Sequence, residues 1–147
     1  MKKPAHSEAA LQAAVTELSL AVGQIIRRLR TEGNPDALNL SQLGTLARLD
    51  KNGPMTNADL ARTESMKPQS MNTILAGLEQ EGFVERRPHP TDGRQILFAI
   101  SSAGHEMRRQ RGIAKRNWMT AAMSELEPEE FKTLVAAIPL IRRLVGS

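Results

Sequence analysis

Proline is best tolerated in a helix in its first turn, so Pro68 marks where one helix of this chain begins and which side chains its leading turn carries. In the stretch Ser65-Met66-Lys67-Pro68-Gln69-Ser70-Met71-Asn72-Thr73 those side chains are short and polar. Met71, Ile74, Leu75 and Leu78 recur at helical spacing behind them and form a face to bury, and Gly82 after Glu81 stops the helix. Phe83-Val84-Glu85-Arg86 and Gln95-Ile96-Leu97-Phe98-Ala99-Ile100 then read as two short strands. The loop between them is proline-rich, turns at Asp92-Gly93 and ends on Arg94.

Upstream, apolar residues at Leu11, Val15, Leu18, Val22, Ile25, Ile26 and Leu29 step by three and four, the period of a long amphipathic helix closed by Gly33-Asn34-Pro35. Ser41 is expected to cap a second helix, with Leu43, Leu46 and Leu49 inward and Asn52-Gly53-Pro54 as its stop. Thr56 opens a third, with Asp59 three residues on as an Asp form of the capping box, and Leu60 and Ala61 facing in. Ser101 caps a fifth helix running to about residue 123, and a sixth begins near Pro128. Along the sixth, Phe131, Leu134, Val135, Ile138, Ile141, Leu144 and Val145 share one side, and Pro139 should bend it or weaken its last turns. The order helix, short turn, Pro-initiated helix, strand, wing, strand is that of a winged helix-turn-helix. The fold class expected is mainly α with a small antiparallel β-wing. Residues 41–101 form the winged lobe, and 9–33 with 102–146 form a helical dimerisation region, because a lobe this small cannot bury both terminal apolar stripes alone.

Composition narrows the function. With 147 residues the chain has room for one domain and an appended dimerisation element. Its net charge of +4 suits a polyanion without proving one. It has no cysteine, which removes disulfides, thiolate nucleophiles and Cys-type zinc sites. His6, His89 and His105 lack metal-ligand spacing, so no metal and no cofactor is expected. No Gly-rich phosphate loop, HExxH or Ser-His-Asp pattern occurs, and Glu125, Glu127, Glu129 and Glu130 complement a helix dipole rather than form a catalytic pair. The chain is not read as an enzyme. No apolar run approaches the ~18 residues of a membrane span and no signal-peptide core is present, so a cytoplasmic protein without membrane contact is expected.

The polar helix tip has the chemistry for major-groove reading. Gln69 can address an adenine bidentately; Ser70 and Thr73 can donate, accept, or meet a thymine methyl; Asn72 is the next candidate. Lys67, with the free N–H groups of the first turn, suits phosphate, as does Thr56. Arg94 sits where a wing enters the minor groove, whose negative potential attracts arginine, and Asp92 can hold its guanidinium. Arg86, Arg87 and His89 flank the wing within reach of phosphate.

These residues carry a resemblance. Asn57-Ala58-Asp59-Leu60-Ala61, Lys67-Pro68-Gln69-Ser70-Met71, Gly82-Phe83-Val84-Glu85-Arg86 and Asp92-Gly93-Arg94 followed by Ile100-Ser101 resemble the DNA-binding lobe of MarR-family transcription regulators. The terminal helices fit that family's dimerisation domain. The resemblance implies an obligate homodimer on a pseudo-palindromic double-stranded operator. Such regulators most often repress nearby genes, and many are released by a small, frequently aromatic or phenolic anion. Carried over by position, Gln69, Ser70 and Thr73 read bases, Arg94 is the wing finger and Asp92 its orienting partner. The branch that senses oxidants through a cysteine is excluded. For an effector, Arg27, Arg28, Arg30 or Arg48 can meet a carboxylate and Trp118 or Met119 can pack on a ring. Aromatic residues make up only 3% of the chain, so no effector residue is assigned. The alternative is a winged-helix module that coats DNA or binds protein without an effector; it has little use for polar base readers.

Overall fold

The computed structural model describes residues 5–34 and 37–146, so Pro35, one of the expected helix stops, lies outside the described residues. The elements in order are α1 (Glu8–Glu32), α2 (Leu40–Asn52), β1 (Met55–Thr56), α3 (Asn57–Thr63), α4 (Pro68–Gln80), β2 (Val84–Pro88), β3 (Ile96–Ile100), α5 (Ser102–Ser124) and α6 (Pro128–Val145). The fold is mainly α with a small antiparallel sheet, as the sequence indicates. Two compact units divide the chain. One holds α1, α5 from Ile113 onward, and α6; the other runs from Asn34 to Gly112.

The second unit is built on local signals that mostly fall where the sequence puts them. Thr56 caps α3 by accepting the Asp59 N–H at 3.1 Å. Asp59 does not return the bond; its carboxylate takes Arg62 instead. Pro68 is the first residue of α4, and Gly82, with φ of +81°, follows its end. α2 begins earlier than expected. Its cap is Asn39, not Ser41, because Asn39 and Gln42 exchange side-chain bonds to each other's backbone N–H at 2.8 and 3.0 Å. Three residues beyond Ser41 stands Gly44, which has no side chain to complete such an exchange.

Strand β1 was not legible in the sequence. Met55 and Thr56 pair antiparallel with Phe98 and Leu97, giving a sheet ordered β1-β3-β2. β2 and β3 form the wing hairpin, with Val84 opposite Ile100 and Pro88 opposite Ile96. Pro88 is accommodated because β2 is an edge strand, where a missing N–H costs no ladder bond. Leu46, Leu49, Leu60, Met71, Leu75 and Leu78 are at most 1% exposed and bind α2, α3 and α4 into one core with Phe83, Val84, Phe98 and Ile100 of the hairpin. Met107 of α5 joins that core. The first turns of α5 are also tied to α2 by Asp50, which faces Arg108 and His105, the latter at 3.2 Å.

In the first unit, Ser7 caps α1 through the Ala10 N–H at 3.1 Å. α6 runs on through Pro139 to Val145, so the proline does not end it. The apolar residues of both helices are largely exposed: Leu18 44%, Ile25 44%, Ile138 36% and Ile141 43%. An 18-residue window of α1 has a mean hydropathy of 1.4 with none of it buried, so by length and composition this helix is apolar enough to cross a membrane. Alanines between its larger apolar residues raise the average even though Gln12, Thr16, Glu17 and Gln24 break every run.

Candidate nucleic-acid interface

The turn between α3 and α4 sets how the second helix is presented. α3 ends with the Met66 N–H bonded to Ala61 O at 2.7 Å and the Ser65 N–H to Arg62 O at 3.2 Å, a Schellman closure. Ser65 takes the left-handed conformation this needs, with φ of +54°. Met66, the next residue, packs against the core and so fixes the direction in which Lys67-Pro68 start α4. Lys67 supplies no side-chain cap, so the leading turn of α4 turns its N–H groups outward.

At 3.6 residues per turn, Met71, Leu75 and Leu78 face the core while Gln69 and Thr73 point directly away from it, with Ser70 and Asn72 on the flanks. Gln69, Ser70 and Thr73 are exposed, and the Thr73 hydroxyl donates to Gln69 O at 3.3 Å. Asn72 differs. Its side-chain carbonyl accepts from the Asn57 amide at the start of α3, which also donates to Pro68 O at 3.3 Å. Its acceptor is thus engaged within the lobe. Ala76, exposed one turn beyond Asn72 and Thr73, continues the outward face with a side chain too small to obstruct a groove; its size, not its polarity, was the signal.

The wing is organised around Asp92. Its Oδ1 accepts from the Arg94 N–H at 3.0 Å and from Arg94 Nε at 3.3 Å, and its Oδ2 accepts from Gln95 Nε2 at 3.2 Å. The Gln95 N–H closes the turn on Asp92 O at 3.1 Å. The backbone bond from Arg94, then its guanidinium, then Gln95 and nearby His89 lower the Asp92 pKa from its ordinary value. A depressed carboxylate pKa stabilises the turn above the unfolded value, and that contribution is lost as pH falls through the folded one. Arg94 itself is 93% exposed at its side chain, held at the base and free at the tip.

The other wing-side candidates are occupied within the protein. Arg86 Nε donates to Glu79 Oε2 of α4 at 2.8 Å and its guanidinium lies 5.4 Å from the Phe98 ring centre, so it braces the hairpin against α4. Arg87 pairs with Glu85 at 2.9 Å. His89 Nδ1 accepts from the N–H groups of Thr91 at 3.2 Å and Asp92 at 3.0 Å. Thr56 is committed to capping α3. Lys67 is exposed. Between the starts of α3 and α4 and the wing lies a cleft of about 640 Å³, lined among others by Asn57, Arg62, Asn72, Arg86, Arg94 and Gln95. Asn57, Arg62 and Gln95 were not singled out in the sequence, because only the pairing of β1 with β3 brings α3 beside the wing. Among the described residues no group of three or more His, Asp or Glu side chains could hold a metal ion.

Comparison with known proteins agrees with this geometry. The model of the MarR family matches residues 38–96. An HTH-type transcriptional regulator of Mycobacterium leprae is 37% identical over 130 residues, covering 88% of this chain and 91% of that protein. An HTH-type transcriptional repressor of Mycobacterium tuberculosis is 32% identical over 96 residues, 65% of each chain. Among solved structures, a mutant of S. aureus MepR bound to an oligodeoxyribonucleotide superposes with a TM-score of 0.76 at 14% identity, covering 90% of this chain and 98% of that one.

Proposed function

We propose that this chain, which belongs to the MarR family of HTH-type transcription regulators, works as a homodimeric repressor that reads a pseudo-palindromic operator. MarR regulators are DNA-binding proteins rather than enzymes. The observation that carries the finer reading is the pairing of an outward Gln69-Ser70-Thr73 face on a Pro-initiated helix with an exposed Arg94 on a turn fixed by Asp92. In this reading α4 enters the major groove, Gln69 takes one base edge bidentately, and Ser70 and Thr73 add contacts beside it. Lys67 and the first-turn N–H groups hold phosphate, and Arg94 enters the adjacent minor groove. Arg86, Arg87, His89 and Thr56 serve as supports that keep these readers in place, and Asn72 positions α4 through Asn57.

The helical region over 9–33 and 102–146 supplies the dimer, which is also the reading of the apolar α1 that accounts for a matching apolar α6 at the other end of the chain. A two-fold dimer places half-sites about one helical turn apart. Repression then follows from occupancy of a promoter, consistent with the name of the tuberculosis relative. Release by a small, aromatic or phenolic ligand and a cytoplasmic location complete the proposal; both come from the family resemblance. A thermal-shift screen of aromatic acids, followed by operator release, tests the ligand.

The decisive measurement is affinity for a duplex from the protein's own promoter against a scrambled duplex. A ratio of ~10³ or more at physiological salt is expected, and a ratio near unity would instead mark an architectural or protein-binding module. Within that assay, Gln69→Ala should weaken operator binding by about 1–3 kcal/mol and relax preference at one position per half-site. Equal losses on every operator variant would make Gln69 a positioning contact. Arg94→Ala should weaken binding and flatten A·T preference beside the half-sites; unchanged affinity would leave the wing passive.

A further inference from the structure

We infer that His89 is the positioning residue of the wing, and that operator binding depends on its Nδ1 acting as a hydrogen-bond acceptor. The inference rests on the DNA-reading assignment above, and gives His89 a part different from the phosphate contact that its sequence position suggests. The loop from His89 to Gln95 joins β2 to β3 and carries no large apolar side chain to anchor it. Its shape is held by polar bonds. The Thr91 and Asp92 N–H groups go to His89 Nδ1, at 3.2 and 3.0 Å, and the Thr91 hydroxyl lies 3.4 Å from the same nitrogen. The Arg94 N–H goes to the Asp92 carboxylate and the Gln95 N–H to the Asp92 carbonyl. Pro90 has no N–H to place. Two side chains, His89 and Asp92, therefore hold the backbone on either side of the wing tip, and His89 is half-buried while most of its neighbours are exposed.

Two backbone donors meeting one ring nitrogen require that nitrogen to be unprotonated, with the ring hydrogen on Nε2. A proton on Nδ1 sets an N–H against two N–H groups and leaves both without an acceptor. The Asp92 N–H is one of the two, and Asp92 is the residue that aims Arg94, so the loss passes directly to the finger. The loop itself carries Asp92 and Arg94, β2 carries the Arg87–Glu85 pair, and the cleft that Arg94 lines also holds Asp59, Arg62 and Arg86; β3 opens with Ile96 and Leu97, which carry no charge. The Asp92 carboxylate attracts a charged imidazole. That attraction draws Asp92 toward the ring and competes with its hold on Arg94, so it does not restore the geometry.

The test compares the full-length protein with His89→Asn and His89→Phe. Asparagine places Oδ1 at the same number of bonds from the backbone as Nδ1, accepts from the N–H groups two and three residues on in an Asx turn, and does not titrate. Phenylalanine keeps a ring and removes the acceptor. The readout is the ratio of affinities for operator and scrambled duplex. The phenylalanine variant should lose about tenfold in that ratio relative to the wild type, and the asparagine variant should keep the wild-type ratio. In an Arg94→Ala background His89→Phe should cause no further loss. Hydrogen exchange of the Thr91 and Asp92 amides, measured without DNA, should be slow in the wild type and His89→Asn and fast in His89→Phe. A phenylalanine variant with wild-type discrimination, or with unchanged exchange at those two amides, overturns the inference. A wild type that fails to distinguish the duplexes defeats the operator reading instead, and the exchange rates then decide by themselves whether His89 holds the wing.

Discussion

Replacing Ile141 of α6 with aspartate is expected to yield a folded monomer that holds the operator some ~10²–10⁴-fold more weakly than the parent protein. The magnitude follows from tethering. When two lobes are joined, the second half-site is engaged at an effective concentration set by the dimer, and separating the lobes forfeits that gain without removing a single DNA contact. Ile141 is 43% exposed, so a charge there does not disturb packing within the chain. In an isologous interface each substitution occurs twice about the axis, so two carboxylates are desolvated together near apolar surface. Leu18→Asp on α1, at 44% exposure, should act in the same way. Sedimentation gives the oligomeric state, and titration of whole and half operators gives the affinity. A dimer with undiminished affinity for both variants would place the interface elsewhere. A monomer that still binds the full operator as tightly would mean that one lobe suffices.

The parts of this molecule that were legible in the sequence are those whose cause is local. Pro68, Gly82, Thr56 and Ser101 mark helix ends through their own backbone or hydroxyl chemistry, and each end falls where that chemistry requires. The Asp92–Arg94 hold is equally local, since a single residue separates donor from acceptor. Where a residue has a choice of partners, the outcome depends on packing that the sequence does not display. Arg86 was read as a phosphate contact because it is basic and beside the wing. In the fold its partners are Glu79, on the preceding helix, and Phe98, across the hairpin. Asn72 was placed among the base readers by its position on α4, but Asn57 reaches it from another helix. Both residues line the same cleft as Arg94. What the pattern lacked was the relation of α3 to the wing, which β1 sets with two residues, too few for any periodic signal. α1 shows the opposite difficulty. Its pattern is strong, yet helical amphipathicity and mean hydropathy answer different questions, the first describing one face and the second an average over all of them.

Gly104→Ala should cost about 1–3 kcal/mol of stability, or more, and lower operator affinity even at temperatures where the protein remains folded. Gly104 lies in the first turn of α5 and is buried against the α4–β2 connection. A Cβ there would stand 2.4 Å from the Phe83 carbonyl oxygen and 2.7 Å from Ile100 Cγ1. The isoleucine can turn aside, but the carbonyl cannot. Phe83 O accepts the Ser101 N–H at 3.0 Å, while the Ser101 hydroxyl donates to Gly82 O at 2.6 Å and accepts the Gly104 N–H at 3.0 Å. These bonds lock the end of β3, the start of β2 and the start of α5 into one joint, so moving Phe83 shifts the base of the wing. Gly112, farther along the same helix, has nothing within 4 Å of its Cβ position. Gly112→Ala should therefore stabilise the protein by about 0.5–1 kcal/mol through helix propensity alone. The pair separates crowding from any general effect of alanine in α5. Chemical denaturation of both variants, with operator titration, checks it. Equal behaviour of the two alanines would remove the joint as the cause. A destabilised Gly104→Ala with unchanged DNA discrimination would show that the wing keeps its aim without the joint, through Arg86 and the Asp92 turn alone.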